Sequence, residues 1–379
     1  MKVVILGVPK KVSSGVRTHV ESLKHGLNAY NVETNMISSY PEGIYRCIVS
    51  LPHKILGFIN KDLAFKWRYI TREIYVKKAL KEAVENGSDI IINIESVDWY
   101  GTVKQYLNNK NITVVLTVHS IYSEQIRAKG YSSSSISKIK EIEIEAYRNI
   151  EKVVAVSTFI EKYIKDQSNR NDIAMISNGL ILDDIPVKKI EKQQDSILKC
   201  MFIGSLLKYK GVHIALEAIR ILIDNDINVY FDIIGDGPEF NNLNTIVKDL
   251  GIEDNVKFLG VIPRNQANKK MIEYDIALVP SIPYGDNGEE SFSYSCGEAM
   301  AAGLVVIASS IGGLTNIIQN GVNGYLVNYG DANEIAKVIM DNLSTIKEDE
   351  TLRANARSTI EHRYSSESMA KKYIELFTR

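Results

Sequence analysis

Residues 280–309, PSIPYGDNGEESFSYSCGEAMAAGLVVIAS, set two glutamates, Glu290 and Glu298, between two apolar runs. The preceding IALVPS reads as the end of a buried parallel strand, and the Gly- and Ser-rich stretch reads as a loop over its carboxyl end. GEAMAAG then opens a helix that leads into the next strand, LVVIASS. In open α/β sheets ligands bind outside the carboxyl ends of the strands, so both carboxylates stand where a ligand is expected. One sits on the loop and the other in the first helical turn, which lets them face different parts of that ligand.

Working outward, the same strand, loop, helix alternation fills the chain. KVVILGVPK ends in a glycine-containing loop, and SSGVRTHVESLKHGL follows with Val16, Val20, Leu23 and Leu27 at helical spacing. DIIINIES, NITVVLTVHS and KVVAVS are apolar runs without alternation, as expected of strands covered on both faces. The pattern resumes after residue 195 with LKCMFIGS, VYFDIIGDG, NVKFLG, DIALVPS, LVVIASS and GYLV. Between the halves, DDIPVKKIEKQQDS is polar and charged and reads as the linker. The expectation is an α/β chain of two doubly wound, Rossmann-like domains facing a central cleft, 1–186 and 187–365. A last helix, 366–379, is expected to cross back to the first domain.

Length and composition agree with two domains. The chain has 379 residues, more than one ordinary core accommodates. Its 45% hydrophobic and 24% charged residues are those of a globular protein. No run of 18 apolar residues occurs, and MKVVILGVPKK is wrongly flanked for a secretory signal, so a cytoplasmic location is expected. Cys47, Cys200 and Cys296 are few and far apart, which argues against a disulfide framework or a zinc site.

Charge is unevenly spread. Residues 1–180 carry 25 Lys and Arg against 18 Asp and Glu, and residues 44–81 alone hold nine basic and two acidic side chains. Leu51, Ile55, Leu56, Phe58 and Ile59 are interleaved with these bases. This is a pattern that peripheral proteins present to an anionic leaflet, here centred on 51–66. The competing reading is a core helix with a solvated basic face, since Leu63, Trp67, Ile70 and Ile74 follow helical spacing. No domain-wide basic face with aromatic platforms is present, which excludes a nucleic-acid partner.

Three places suit a phosphate. GSLLKYKG puts Lys208 and Lys210 in a loop between strand and helix, where an ammonium and the helix start can act together. SSIGGLTNII puts Gly312 and Gly313 before another helix, and VSSGVR puts Gly15 in the first loop of the other domain. Joined to the two glutamates, these loops fit a nucleotide sugar. The loop carboxylate would face the reacting sugar, and the helical one would accept hydrogen bonds from ribose hydroxyls.

From Gly204 to Val327 the chain resembles the carboxyl-terminal domain of retaining GT-B glycosyltransferases, specifically glycosyltransferase family 4 (group 1). The elements GSLLKYKG, IIGDGPE, NVKFLG, DIALVPS, the Glu290/Glu298 pair, EAMAAG, IGG and NGVNGYLV come in family order. The first half agrees through the Gly15 loop, LTVHS with His119, KVVAVS with Ser157, and ISNG with Asn178 and Gly179. By this resemblance Glu290 faces the donor sugar, Glu298 binds the ribose, and Lys210 neutralises the departing diphosphate. Gly204, Ser205, Lys208, Gly15, Gly312 and Gly313 surround the phosphates, and His119 lies near the reacting sugar. Tyr122, Arg127 and Lys129 are candidates for the acceptor pocket.

The chain departs from the family pattern at several positions. Ser205 stands where an arginine is usual, Ser14-Gly15 replaces Gly-Gly, Thr315-Asn316 replaces Pro-Glu, and Ser293 replaces a frequent glycine. A lysine at 208 lacks the bidentate fork of the missing arginine.

The resemblance implies transfer of a hexosyl unit from a UDP- or GDP-sugar with retention and without metal or other cofactor. The acceptor would be a saccharide or polyprenyl-linked saccharide used in surface polysaccharide or glycoconjugate synthesis. Four other readings stay open: a non-catalytic nucleotide-sugar-binding subunit, a phosphorolysis or epimerisation on the same fold, a two-carboxylate hydrolase, and a nucleotide-dependent oxidoreductase. The last is disfavoured because IIGDGPEF lacks G-x-G-x-x-G.

Overall fold

The computed structural model describes residues 1–7, 15–38, 52, 55–85, 87, 89–188, 197–284 and 288–379. The chain divides into two compact units. One comprises Met1–Gly179 with Gly285–Ser291 and Ser366–Arg379; the other comprises Leu180–Tyr284 with Phe292–Ser365.

Each unit is built on a six-stranded, wholly parallel sheet. In the first, β1 (Lys2–Gly7), β2 (Glu33–Ser38), β3 (Ile90–Ile94), β4 (Ile112–Val118), β5 (Lys152–Ala155) and β6 (Ile173–Met175) lie in the order β2-β1-β3-β4-β5-β6. The strands are apolar on both faces because both faces are covered by helices. Ile90, Ile92 and Ile94 enter one buried cluster, while Ile91 enters another with Val3, Ile5 and Val115. The helices Gly15–Ala29 and Ser366–Thr378 lie over this second cluster, to which they supply Val20, Leu23, Leu27, Met369, Tyr373 and Phe377. They pack so closely that a Cβ on Gly26 would stand 2.1 Å from the Ser366 carbonyl oxygen, which explains the glycine.

The second unit repeats the plan. Here β7 (Leu198–Ile203), β8 (Val229–Ile234), β9 (Val256–Gly260), β10 (Ile276–Val279), β11 (Val305–Ser309) and β12 (Tyr325–Val327) lie in the order β12-β11-β10-β7-β8-β9. The sheet grows one way from β7 to β9 and then the other way from β10 to β12. The direction of winding therefore reverses between β7 and β10, and a crevice opens at that point in doubly wound sheets.

The segment read as a linker differs from a free tether. Of it, residues 189–196 lie outside the described residues, but its first part is anchored to the second unit. Ile185 is buried, the Lys188 amide donates to the Ala302 carbonyl at 2.8 Å, and Lys188 Nζ reaches Tyr274 O at 2.6 Å and Asp275 Oδ1 at 2.9 Å. A charged stem can lie along an apolar surface and still satisfy its head group, which polarity counts alone do not register.

The helix Lys61–Val84, capped by Asn60 accepting from the Leu63 amide, buries Ala64, Phe65, Val76 and Leu80. Leu63, Trp67, Ile70 and Ile74 are instead exposed, each between 39% and 66%, and Phe58 is 94% exposed. The reading of those four as a core face is thereby overturned: the packed face of the helix lies elsewhere. Of the basic apolar stretch before it, residues 44–51, 53 and 54 fall outside the described residues. Among the described residues no helix is long and apolar enough to cross a membrane.

Candidate functional site

In the second unit, sequence positions far apart become neighbours through strand order. Gly204, Ser205, Lys208 and Lys210 follow β7, the loop leading to Glu298 follows β10, and Gly312 and Gly313 follow β11. Since β11, β10 and β7 are adjacent and parallel, all three loops leave the same carboxyl edge beside the reversal point. The loops are joined to one another. Gly211 (φ 68°) leaves no room for a Cβ, which would stand 1.8 Å from the Pro280 carbonyl oxygen. The Ile282 amide donates to Tyr209 O at 2.8 Å, and the rings of Tyr209 and Tyr284 lie 4.8 Å apart. On the other side of β7, Gly235 (φ 140°) allows the Gly204 carbonyl to approach as no side chain would.

Within this edge, Lys208 and Lys210 form a short 3-10 turn before the helix Val212–Asp224, with Lys208 exposed and Lys210 half-buried, its ammonium 5.5 Å from the Tyr209 ring centre. Ser205 is exposed. Gly312 (φ 47°) and the buried Gly313 precede a helix of a single turn, Leu314–Ile317. That turn is too short to carry a developed dipole, so what the loop offers is its amides.

Glu298 lies in the helix Tyr294–Ala301, whose start is capped by Ser293 accepting from the Cys296 amide at 3.3 Å. The Ser293 that departs from the family pattern thus has a structural use. Glu298 is buried and its carboxylate is ion-paired with Arg264, which opens the helix Arg264–Met271 after β9 and lies 5.8 Å from the Tyr294 ring centre. Burial raises the Glu298 carboxyl above its ordinary range and the guanidinium opposes the rise. Arg264 was not singled out from the sequence; its signal is a lone arginine one loop beyond the carboxyl end of a strand. Glu290 is half-buried and counts with the first unit.

The triplet Asp224-Asn225-Asp226 is an Asp-x-Asp pattern, which the expectation of a metal-free reaction took to be absent from the sequence. It closes the turn before β8, at the amino edge of that strand, and Asp224 is ion-paired with Arg220. A metal there would stand at the opposite edge from the loops described above.

In the first unit, His119 follows β4 and stands beside Glu95, which follows the neighbouring strand β3. His119 Nε2 and Glu95 Oε2 are 2.8 Å apart, and His19 Nε2, from the helix Gly15–Ala29, is 3.4 Å from the same oxygen. The imidazole rings of His19 and His119 meet edge to face at 4.5 Å. Burial lowers His119 to about 3 and His19 to about 4, and raises Glu95 to about 7. Gly15 opens the same helix one turn before His19; residues 8–14 of its loop lie outside the described residues. His19 and Glu95 were not singled out from the sequence. The first is four residues after Gly15, on the same helical face, and the second is a carboxylate directly after an apolar strand.

The acceptor candidates are placed as follows. Tyr122 opens the helix Tyr122–Ala128, gives its amide to the buried Glu143 at 2.6 Å, and packs its ring on Phe65, Ile126 and Ile139. Arg127 is exposed and pairs with Glu124 at 3.1 Å, and the Lys129 carbonyl accepts from Lys61 Nζ. Ser157 caps the helix Thr158–Ser168.

A family model described as glycosyl transferases group 1 matches residues 185–359, and one described as glycosyltransferase family 4 matches residues 13–184. An uncharacterized glycosyltransferase of Methanocaldococcus jannaschii is 24% identical over 364 residues, covering 94% of this chain and 92% of its own. The amylovoran biosynthesis glycosyltransferase AmsK of Erwinia amylovora is 34% identical over 143 residues, but that match spans only 38% of this chain and 35% of AmsK. Among solved structures, HepE of Anabaena in complex with UDP-glucose aligns over 100% of this chain and 99% of its own, with a TM-score of 0.71 at 18% identity. Sucrose-phosphate synthase of Thermosynechococcus elongatus aligns over 100% and 98%, with a TM-score of 0.74 at 18% identity. The two parallel sheets are those of the GT-B fold.

Proposed function

Because the chain belongs to the glycosyltransferases of group 1, family 4, we propose that it moves a hexosyl unit from a UDP- or GDP-sugar to a hydroxyl of a saccharide or lipid-linked saccharide, with retention and without a metal. The observation that carries this reading is the meeting of the β7, β10 and β11 loops at one sheet edge, with Lys208, Lys210 and Glu298 upon it. The bond between the anomeric carbon and the diphosphate oxygen breaks, and a bond from the same face to the acceptor oxygen forms. The acceptor proton passes to the departing diphosphate. Charge grows on the phosphate oxygens as this happens, so cations and amides already fixed there lower the barrier more than they tighten ground-state binding. Lys210, Lys208 and the amides at Ser205 and Gly313 serve the diphosphate, while Gly204, whose own amide donates to Ile234 O, Gly312 and, from the first unit, Gly15 let the phosphates approach the backbone. Glu298 serves the ribose, and Glu290 and His119 serve the sugar.

A donor panel tests this. UDP, GDP, ADP, CDP, their sugars and NAD are scored by thermal shift, with and without Mg²⁺, followed by release of the diphosphate. A ligand at 100 times its Kd stabilises by about 2.7 kcal/mol. Selective stabilisation by one nucleoside diphosphate without Mg²⁺, with turnover of its sugar, is the expected result. Binding without turnover would mean a non-catalytic subunit, and stabilisation by NAD alone would mean an oxidoreductase.

The exposed apolar residues of the first unit support a lipid-linked acceptor. Ile55, Phe58, Ile59, Leu63, Trp67, Ile70 and Ile74 are exposed alongside the exposed cations Lys66, Lys77, Lys78 and Lys81. Apolar side chains insert at the headgroup boundary while the ammonium groups meet anionic lipid, so this face fits the cytoplasmic leaflet of a membrane carrying such an acceptor. Flotation with anionic vesicles at low salt tests it, and absence of binding there would remove the reading.

A further inference from the structure

Strand alternation explains how a polar chain comes to lie inside the first unit. On β3, residues 91, 93 and 95 face one way, and on β4 residues 115, 117 and 119 face the same way. Ile91 and Val115 meet the helices Gly15–Ala29 and Ser366–Thr378 in the apolar cluster on that face. Farther along, the same two rows become Asn93, Glu95, Thr117 and His119. The helices supply His19 and Tyr373 to them.

Hydrogen bonding gives this chain a direction. The Thr117 hydroxyl donates to Asn93 Oδ1 at 3.2 Å, so it accepts from the Tyr373 hydroxyl at 2.8 Å. Asn93 Nδ2 then donates to Glu95 Oε1 at 2.7 Å. These protons point toward Glu95, whose other oxygen, Oε2, lies 2.8 Å from His119 Nε2; once ionised, a carboxylate can only accept, so the proton of that contact then sits on Nε2. A hydrogen on Nε2 leaves Nδ1 of a neutral imidazole with its lone pair. His119 retains 9% side-chain exposure, whereas Glu95 retains 1% and His19 none.

We infer that Glu95 is the positioning residue for His119. It holds the ring as the Nε2–H tautomer and so presents Nδ1 as a hydrogen-bond acceptor to a hydroxyl of the bound sugar. The inference rests on the reading of His119 given above. The donor set His19, Glu95 and His119, with its ligand atoms within 4.8 Å of one another, would also suit a cation. For His119 the distance favours a proton: ligands on one zinc ion at about 2.0–2.1 Å stand roughly 3.3 Å apart, which the His19–Glu95 pair at 3.4 Å would fit, whereas the His119–Glu95 separation of 2.8 Å is the length of a hydrogen bond. The other groups facing the carboxylate are His19 from the first helix and Tyr373 from the last, with Asn178 beside His19.

Imidazole ¹⁵N NMR on the full chain labelled at histidine, near pH 7.5, tests the hold directly and needs no donor. The expected result is a protonated Nε2 and a bare Nδ1 on His119 in the parent, with the Nε2–H signal slow to exchange. That signal is lost in Glu95→Ala, and Glu95→Gln shifts the ring toward the Nδ1–H tautomer because a carboxamide can donate. A protonated Nδ1 in the parent, an unchanged signal in Glu95→Ala, or stoichiometric zinc in the purified protein would overturn the inference. Kinetics with UDP-glucose as the probe add a second reading. Glu95→Ala is expected to lower kcat about 100-fold, the scale of a misplaced group, and His119→Ala/Glu95→Ala to be no slower than His119→Ala. Losses that multiply would mean that Glu95 does not act through His119. If His119→Ala alone leaves turnover intact, the role given to His119 fails, while the NMR result still decides whether Glu95 sets its tautomer.

Discussion

Arg264 and Glu298 form an ion pair in which the carboxylate is buried and the guanidinium is partly open to solvent. The carboxylate assigned to the ribose therefore already has a cationic partner in the free protein. Removing that partner leaves a buried charge uncompensated, a change costing several kcal/mol when both groups are enclosed and less here because Arg264 is 39% exposed. Arg264→Ala is expected to lower the melting temperature by a few degrees and to raise KM for the donor more than it lowers kcat. That pattern marks a group that binds ground and transition states alike. A drop in kcat at constant KM would move Arg264 into the chemistry instead.

Lys210 has the opposite expected signature. If its ammonium meets charge that develops on the leaving diphosphate, Lys210→Ala lowers kcat by at least about 100-fold with a modest change in KM. Glu290→Ala is expected to lose turnover on the same scale. Lys208, more exposed and standing in for an arginine, should cost less when replaced. Initial rates of the three variants over a range of donor concentrations check the order, and near-normal rates for folded Lys210→Ala would remove it from the mechanism.

How much of this was legible in the sequence depends on whether the signal was local. The apolar runs gave the strands, and punctuation by glycine gave the loops at their carboxyl ends, so Gly204, Lys210 and Gly312 could be placed at one edge once the strand order was known. Glu95 and His19 were not found because their meaning is relational. Glu95 lies 24 positions from His119 and becomes its neighbour only through the pairing of β3 with β4. His19 looked like one more helical residue. The helix Lys61–Val84 was misread in part for a similar reason: Leu63, Trp67, Ile70 and Ile74 have the spacing of a buried face, but spacing says which residues share a side and not which side meets the core.

That exposed stripe leads to a prediction about location. Charged replacements on it remove insertion into the headgroup region without opening the core, since surface substitutions generally stay within about 0.5 kcal/mol. Trp67→Asp with Ile70→Asp is expected to abolish flotation with anionic vesicles while leaving the melting temperature, and the shift produced by whichever nucleotide the donor panel selects, unchanged. Binding that persists in the double variant but falls steeply with added salt would assign the attraction to the lysines alone.

The two histidines and Glu95 also predict how stability varies with pH, with effects of opposite sign. His19 and His119 are held to about 4 and about 3, below their ordinary 6.5, so near pH 5 they carry protons in the unfolded chain and none in the folded one. Glu95 is held up at about 7 from an ordinary 4.5, so there it carries a proton only when folded. Between about pH 4.5 and 6.5 the unfolded chain thus binds two of these protons and the folded chain one, and stability rises with pH by about 1.4 kcal/mol per unit from this cluster. From about 6.5 to 7 the unfolded histidines and the folded carboxyl give up their protons together, so the rise levels off. His19→Asn leaves one proton on each side of the balance, so its slope between pH 4.5 and 6.5 should be flatter than that of the parent. Calorimetric melting of both proteins across this range measures the difference directly; parallel curves would mean that His19 is not held neutral by its burial.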